Sequence, residues 1–191
     1  MTVDQRVYRL KVTLRGIRPP IWRRIEVPGS ISLFDLHGTL QAAMGWADCH
    51  LHQFIHGGIY YGPPDREFDM PMESERRTRL ADLLRQPKDR LTYEYDFGDS
   101  WEHDLILEAI DEAQPGARYP RVVDGKRACP PEDVGGVPGY EEFVLAIRDP
   151  GHEEHASMLE WVGGRFDPEQ YDVITANDHV PKRKSVRPRG A

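Results

Sequence analysis

Leu91-Thr-Tyr-Glu-Tyr-Asp-Phe-Gly-Asp-Ser-Trp-Glu-His-Asp-Leu-Ile-Leu-Glu-Ala-Ile110 is the stretch whose reading decides the fold. Tyr93, Tyr95 and Phe97 alternate with Thr92, Glu94 and Asp96, the period of a strand buried on one face. Beyond Gly98-Asp99-Ser100, the residues Trp101, His103, Leu105 and Leu107 alternate again. The segment reads as a hairpin. A short turn at Gly98-Asp99-Ser100 pairs Phe97 with Trp101 and Tyr95 with His103, and it gathers the large side chains on one face. The other face then carries Glu94, Asp96, Glu102 and Asp104, and like charges opposed across a strand pair repel. Water, a nearby Arg or Lys, or a bound cation must offset them.

Upstream, Val7 to Arg15 and Ile21 to Val27 alternate as an antiparallel pair of strands, separated by Gly16 to Pro20. Leu33, Leu36, Leu40, Ala43 and Met44 recur at helical spacing, with Ser32 as N-cap and Gly45 as stop, which predicts a helix over residues 33 to 44. His50 to His56 reads as a strand with His50, His52, Phe54 and His56 on one side, and Ile59 to Tyr61 as a short further one. Pro63 to Thr78 is a polar excursion, and Arg79 to Leu84 is a short helix. Downstream, Asp111 to Val134 is rich in Pro, Gly and charge and reads as loop. Helices are expected from Tyr140 to Ile147, from His155 to Val162, and from Glu169 to Thr175 behind Asp167-Pro168. The expected class is α+β, a mostly antiparallel sheet packed against helices with a helical C-terminal part. Residues 1–180 are expected to form a single domain, and 181–191 a basic, disordered tail.

The composition narrows the function. The 191 residues are 39% hydrophobic and 30% charged, and no apolar run approaches the roughly 20 residues that cross a bilayer. The N-terminus lacks the apolar core of a signal peptide. Cys49 and Cys129 are too few for a disulfide framework, so a cytoplasmic setting with reduced thiols is expected. A net charge of -7 argues against a general nucleic-acid binder. Only the tail, with Lys182, Arg183, Lys184, Arg187 and Arg189 and no acid, offers a nucleic acid its charge.

Two overlapping sets of residues carry the chemistry. Asp96, Asp99, Trp101 and His103 around the hairpin turn, with Glu132 and Asp133 in the later loop, form a candidate polar site. Asp96, Asp99 and His103 are its acid–base candidates. His50, His52, His103 and Cys129 offer imidazole and thiolate to a divalent transition metal such as zinc, although no fixed metal motif spaces them. The plainer alternative is a hydrogen-bonded network that fixes turn and loop, with Asp99 capping the turn. Cys129 lies beside Glu132 and Asp133, which raise a thiol pKa and argue against a nucleophile. Gly135 to Gly139 lacks the Lys-Ser/Thr of a phosphate loop and reads as turn. The alternating aromatics read as core rather than as a base-stacking platform.

Several blocks together resemble the plasmid pRiA4b ORF-3-like family: Pro19-Pro-Ile-Trp-Arg-Arg24, Leu40-Gln-Ala-Ala-Met-Gly-Trp46, His50-Leu-His-Gln-Phe54, Tyr93 to His103, Cys129 to Tyr140, and Phe166-Asp-Pro168. The resemblance spans roughly residues 6 to 175 in unbroken order. It implies one α+β domain, and it marks Trp22, Arg23, His50, His52, Asp96, Gly98, Asp99, Trp101, His103, Cys129, Glu132 and Asp133 as positions that matter. It assigns no reaction, and a recombinase constellation is absent from the chain. The leading expectation is a non-enzymatic binding or accessory domain that engages a protein or small-molecule partner through the hairpin and the later loop. The alternatives are a metal-dependent enzyme, a hydrolase among them, and a mobile-element accessory protein contacting DNA through the tail.

Overall fold

Alternation in the N-terminal two-thirds builds one sheet. The structure, a computed structural model, describes residues 6–63 and 72–181. The strands are β1 (Arg6–Leu14), β2 (Trp22–Pro28), β3 (His52–His56), β4 (Ile59–Gly62), β5 (Glu73–Ser74), β6 (Arg90–Tyr95), β7 (Trp101–Glu112) and β8 (Arg121–Lys126). They lie in the order β5-β4-β3-β6-β7-β1-β2-β8. Every pairing is antiparallel except β4 with β5. The helices are α1 (Leu33–Met44), α2 (Leu80–Leu83), α3 (Gly136–Arg148), α4 (His155–Trp161) and α5 (Val173–His179). The class is therefore α+β with a helical C-terminal part. Among the described residues no helix is long and apolar enough to cross a membrane.

The hairpin is real, but its register differs from the expected one. Tyr95 faces Trp101 and Tyr93 faces His103, so the connection runs from Asp96 to Ser100 and Phe97 leaves the ladder for solvent. Asp96 and Ser100 both take positive φ (57° and 54°), which lets the longer turn close. Glu94 sits directly opposite Glu102, as the acidic face requires. Arg15, just past β1, answers it: its guanidinium bonds Glu102, Asp104 at 2.6 Å and Thr92 at 3.2 Å. Gln53 and Ser100 donate to the two oxygens of Glu94.

The buried face is apolar. Leu10, Val12, Ile25, Phe54, Tyr93, Tyr95, Leu105 and Leu107 meet Leu33, Leu36 and Leu40 of α1. Ser32 caps α1 by accepting from the Asp35 amide, and Gly45 ends it in the left-handed region, as the spacing predicts. Buried Arg23 ties α1 to the sheet by donating to the carbonyls of Ala43, Trp22 and Lys126, with its guanidinium 3.6 Å above the Tyr171 ring. On the β8 edge, Asn177 of α5 accepts from the Val122 amide at 2.9 Å and donates to the Val122 carbonyl at 2.8 Å.

Four local expectations are corrected. His50 lies outside β3, because pairing begins at His52, so the alternation does not place the two imidazoles side by side. The segment read as loop from Asp111 to Val134 contains β8, whose Val122 is the single buried apolar side chain that alternation had to work with. Helix α3 begins at Gly136, with Pro138 inside the first turn, where a missing amide hydrogen costs nothing. The last helix starts at Val173 behind Asp172, which accepts from the Ile174 amide, while Asp167-Pro168 opens only a turn. The basic-tail expectation falls on residues 182–191, outside the described residues.

Candidate functional site

The turn after β6 and the loop before α3 meet, and their side chains converge on His50. The turn is built by Asp96. Its Oδ1 accepts from the amides of Gly98 (3.0 Å) and Asp99 (3.4 Å), and its carbonyl accepts from Ser100 at 2.6 Å. Its own amide donates to the Leu51 carbonyl, which brings the His50 segment alongside. Asp96, not Asp99, therefore caps the turn. Asp99 reaches across instead, and its Oδ2 accepts from the Gly135 amide at 3.1 Å.

The loop is fastened at two further points. Trp46 Nε1 donates to the Pro130 carbonyl at 3.1 Å, and the Ala47 amide donates to Glu132 Oε1 at 2.8 Å. Tyr95, buried against Trp46, donates its hydroxyl to the same oxygen at 3.1 Å. Gly136 makes the close approach possible: its φ is 67°, and an added Cβ would stand 2.7 Å from the Asp99 carbonyl oxygen.

These fastenings leave specific atoms unspent. Around His50 Nε2 stand Asp133 Oδ1 at 3.2 Å, Asp96 Oδ2 at 3.7 Å and Glu132 Oε2 at 3.8 Å. The Cys49 thiol is also near, with one donor atom each of Cys49, His50 and Glu132 within 4.8 Å of one another. His50, Asp96 and Asp133 satisfy the same criterion. His50 Nε2 and Glu132 Oε2 are buried and lack a hydrogen-bond partner. Leaving such an atom unpaired costs about 1–3 kcal/mol. A cleft of about 470 Å³ opens beside the cluster, walled by Trp46, Pro130, Trp161 and Phe166 and bordered by Glu132 and Asp133.

A second group, His37, Asp48 and His52, also lies within ligand reach. Its geometry suits hydrogen bonding instead. The two imidazoles stack with centroids 3.5 Å apart and planes within 5°. Ring-nitrogen lone pairs lie in the ring plane, so parallel rings at that separation cannot both aim at one ion. Each Nε2 is also occupied, His37 by Asp48 and His52 by the buried Glu75, both at 2.8 Å. His37 Nδ1 meets the Tyr93 hydroxyl at 2.9 Å. Burial, with His52 alongside, pushes His37 below the usual imidazole value.

The remaining candidates stand apart from both groups. His103 is wholly buried, with Nδ1 3.3 Å from the Tyr93 carbonyl and its ring edge against Trp46. Desolvation pushes its pKa down to about 4, so it is a neutral core imidazole at pH 7. Trp101 is core as well. Cys129 is enclosed, and burial drives its thiol far above the usual range despite the opposing charge of Arg23, which fits the expected lack of nucleophile character. Of the residues singled out from the sequence, His50, Asp96, Glu132 and Asp133 come together, and Asp99 latches them. Cys49 was missed. Its adjacency to His50 was the available signal.

Relatives match most of the chain in sequence, and one solved structure matches it in fold. The plasmid pRiA4b ORF-3-like protein family matches residues 6–175. The uncharacterized protein y4hQ of Sinorhizobium fredii is 43% identical over 172 residues, covering 90% of this chain and 86% of its own. The crystal structure of MM3350, a protein of unknown function from Methanosarcina mazei Go1, superposes with a TM-score of 0.81 at 40% identity, covering 89% of this chain and 97% of its own. With nearly its whole described length matched, the chain belongs to the plasmid pRiA4b ORF-3-like family.

Proposed function

We propose that the chain is a single cytoplasmic binding domain whose ligand site is the junction of the Asp96–Ser100 turn with the Glu132–Gly136 loop. One observation carries the reading. The junction is rigidly fastened, yet it leaves the polar atoms at its centre unpaired. A purely structural network would spend those atoms on each other. Functional sites instead hold unsatisfied groups in place for a partner that completes them. Both cysteines are free, which suits a reducing compartment.

The test separates a ligand site from a structural network. Glu132→Gln keeps the acceptor that the Ala47 amide and Tyr95 use and removes only charge. In chelator-treated protein it is expected to leave stability unchanged or to raise it by about 0.5–1 kcal/mol, because carboxylate repulsion is relieved. A loss of stability in chemical denaturation would mean that the cluster holds the fold together, and the ligand reading would fail.

A second reading, metal-dependent hydrolysis, is favoured by the cleft beside the cluster, which gives a substrate room against Trp46 and Trp161. The third, a mobile-element accessory role on DNA, rests on the charge of residues 182–191 alone.

A further inference from the structure

From the convergence of Cys49, His50 and Glu132, with Asp96 and Asp133 adding negative charge beside His50, we infer a binding site for one divalent transition metal ion, zinc foremost. The inference rests on reading the junction as a ligand site and names the ligand. Spacing is the first support. Donor atoms held about 2.1 Å from one tetrahedral ion stand about 3.4 Å from each other. His50 Nε2 stands 3.8 Å from Glu132 Oε2, and one donor atom each of Cys49, His50 and Glu132 lies within 4.8 Å of the others. The hydrogen-bonded His–carboxylate pairs elsewhere in the chain are tighter, at 2.8 Å.

The unpaired atoms are a second, independent support. His50 Nε2 and Glu132 Oε2 face one another, out of solvent and without hydrogen bonds. An ion between them would satisfy both.

Charge is the third. Asp96, Glu132 and Asp133 bring three carboxylates to one imidazole. Among the described residues no Lys or Arg lies within 4.0 Å of any of them, although Arg15, Arg24 and Arg121 neutralise acids elsewhere on the sheet. A cation is the missing partner.

Orientation is the fourth. Glu132 has one oxygen held by amide and hydroxyl donors and the other left free, as a ligand steered by its surroundings does. A thiol, an imidazole and carboxylates together suit zinc better than calcium or magnesium, which take oxygen donors.

The experiment titrates chelator-stripped, full-length protein with Zn²⁺ by calorimetry and measures retained metal after gel filtration. One equivalent is expected. His50→Ala is expected to weaken binding at least ~100-fold, and Asp133→Asn about 10-fold. Asp133 is exposed, so that variant folds even if the first does not. His56→Ala, outside the cluster, should bind as the parent does. Loaded with Co²⁺ instead, the parent should show a thiolate charge-transfer band that Cys49→Ser abolishes. Zinc uptake unchanged in both His50→Ala and Asp133→Asn would place the ion elsewhere and overturn the site. Zinc refused by a folded chain that Glu132→Gln stabilises removes the metal and leaves the ligand site. Zinc refused by one that Glu132→Gln destabilises removes both.

Discussion

Asp96 serves two purposes with its two oxygens. Oδ1 folds the turn by accepting from Gly98 and Asp99, and Oδ2 looks toward His50. The two can be separated by substitution. Asn tolerates positive φ and keeps an acceptor, whereas Ala keeps neither advantage. Asp96→Asn should therefore melt within about 0.5 kcal/mol of the parent while losing ligand affinity. Asp96→Ala should lose roughly 1–2 kcal/mol in denaturant titration as the turn loses its cap. If the two variants were equally destabilised, the carboxylate charge itself would be holding the turn. At this scale the sequence was partly legible. Asp96, Glu132 and Asp133 stood out as acids around Gly-rich turns. What hid the rest was φ: a strand period places Asp96 on the face away from His103, and only its left-handed backbone (φ 57°) swings the side chain round.

Among elements, the hairpin turn and the loop before α3 act as a clasp, and Gly136 sets its gap. Gly136→Ala would drive a methyl group into the Asp99 carbonyl at a positive φ that disfavours any side chain. A loss of about 2 kcal/mol is expected, with hydrogen exchange at the Gly135 amide accelerated ahead of amides in β7. Unchanged protection at Gly135 would show that the loop is held without Asp99. The strands that pair with long neighbours, and α1 with both of its caps, could be read from period and punctuation alone. The turn length could not. Phe97 continues the apolar alternation so well that pattern alone keeps it in the ladder; the Asp96 cap and two left-handed residues remove it. Strand β8 escaped for the opposite reason, since its outer side chains are charged and its pairing to β2 shifts register between Arg24 and Ile25.

Across the whole molecule, buried imidazoles couple stability to pH. His103 stays neutral in the folded chain down to about pH 4 but takes a proton near 6.5 when unfolded. The unfolded state thus binds more protons between those values, so this contribution is complete above pH 6.5 and is lost as the pH falls through about 4. His37, also depressed, acts in the same direction. Acidification across that window should remove up to about 3 kcal/mol, read as a falling midpoint in denaturant titrations. His103→Asn should flatten the slope whatever it does to stability at neutral pH. A slope equal to the parent's would exclude His103 as its source.

A sheet of this kind has two free margins where a foreign chain could continue the ladder. At one, β5 is two residues long and offers little template. At the other, the amide of Asn177 meets both hydrogen-bonding groups of Val122, so a single side chain imitates the strand that would otherwise be invited to bind. At that position the helical C-terminal part takes the hydrogen bonds that another strand would need to extend the ladder.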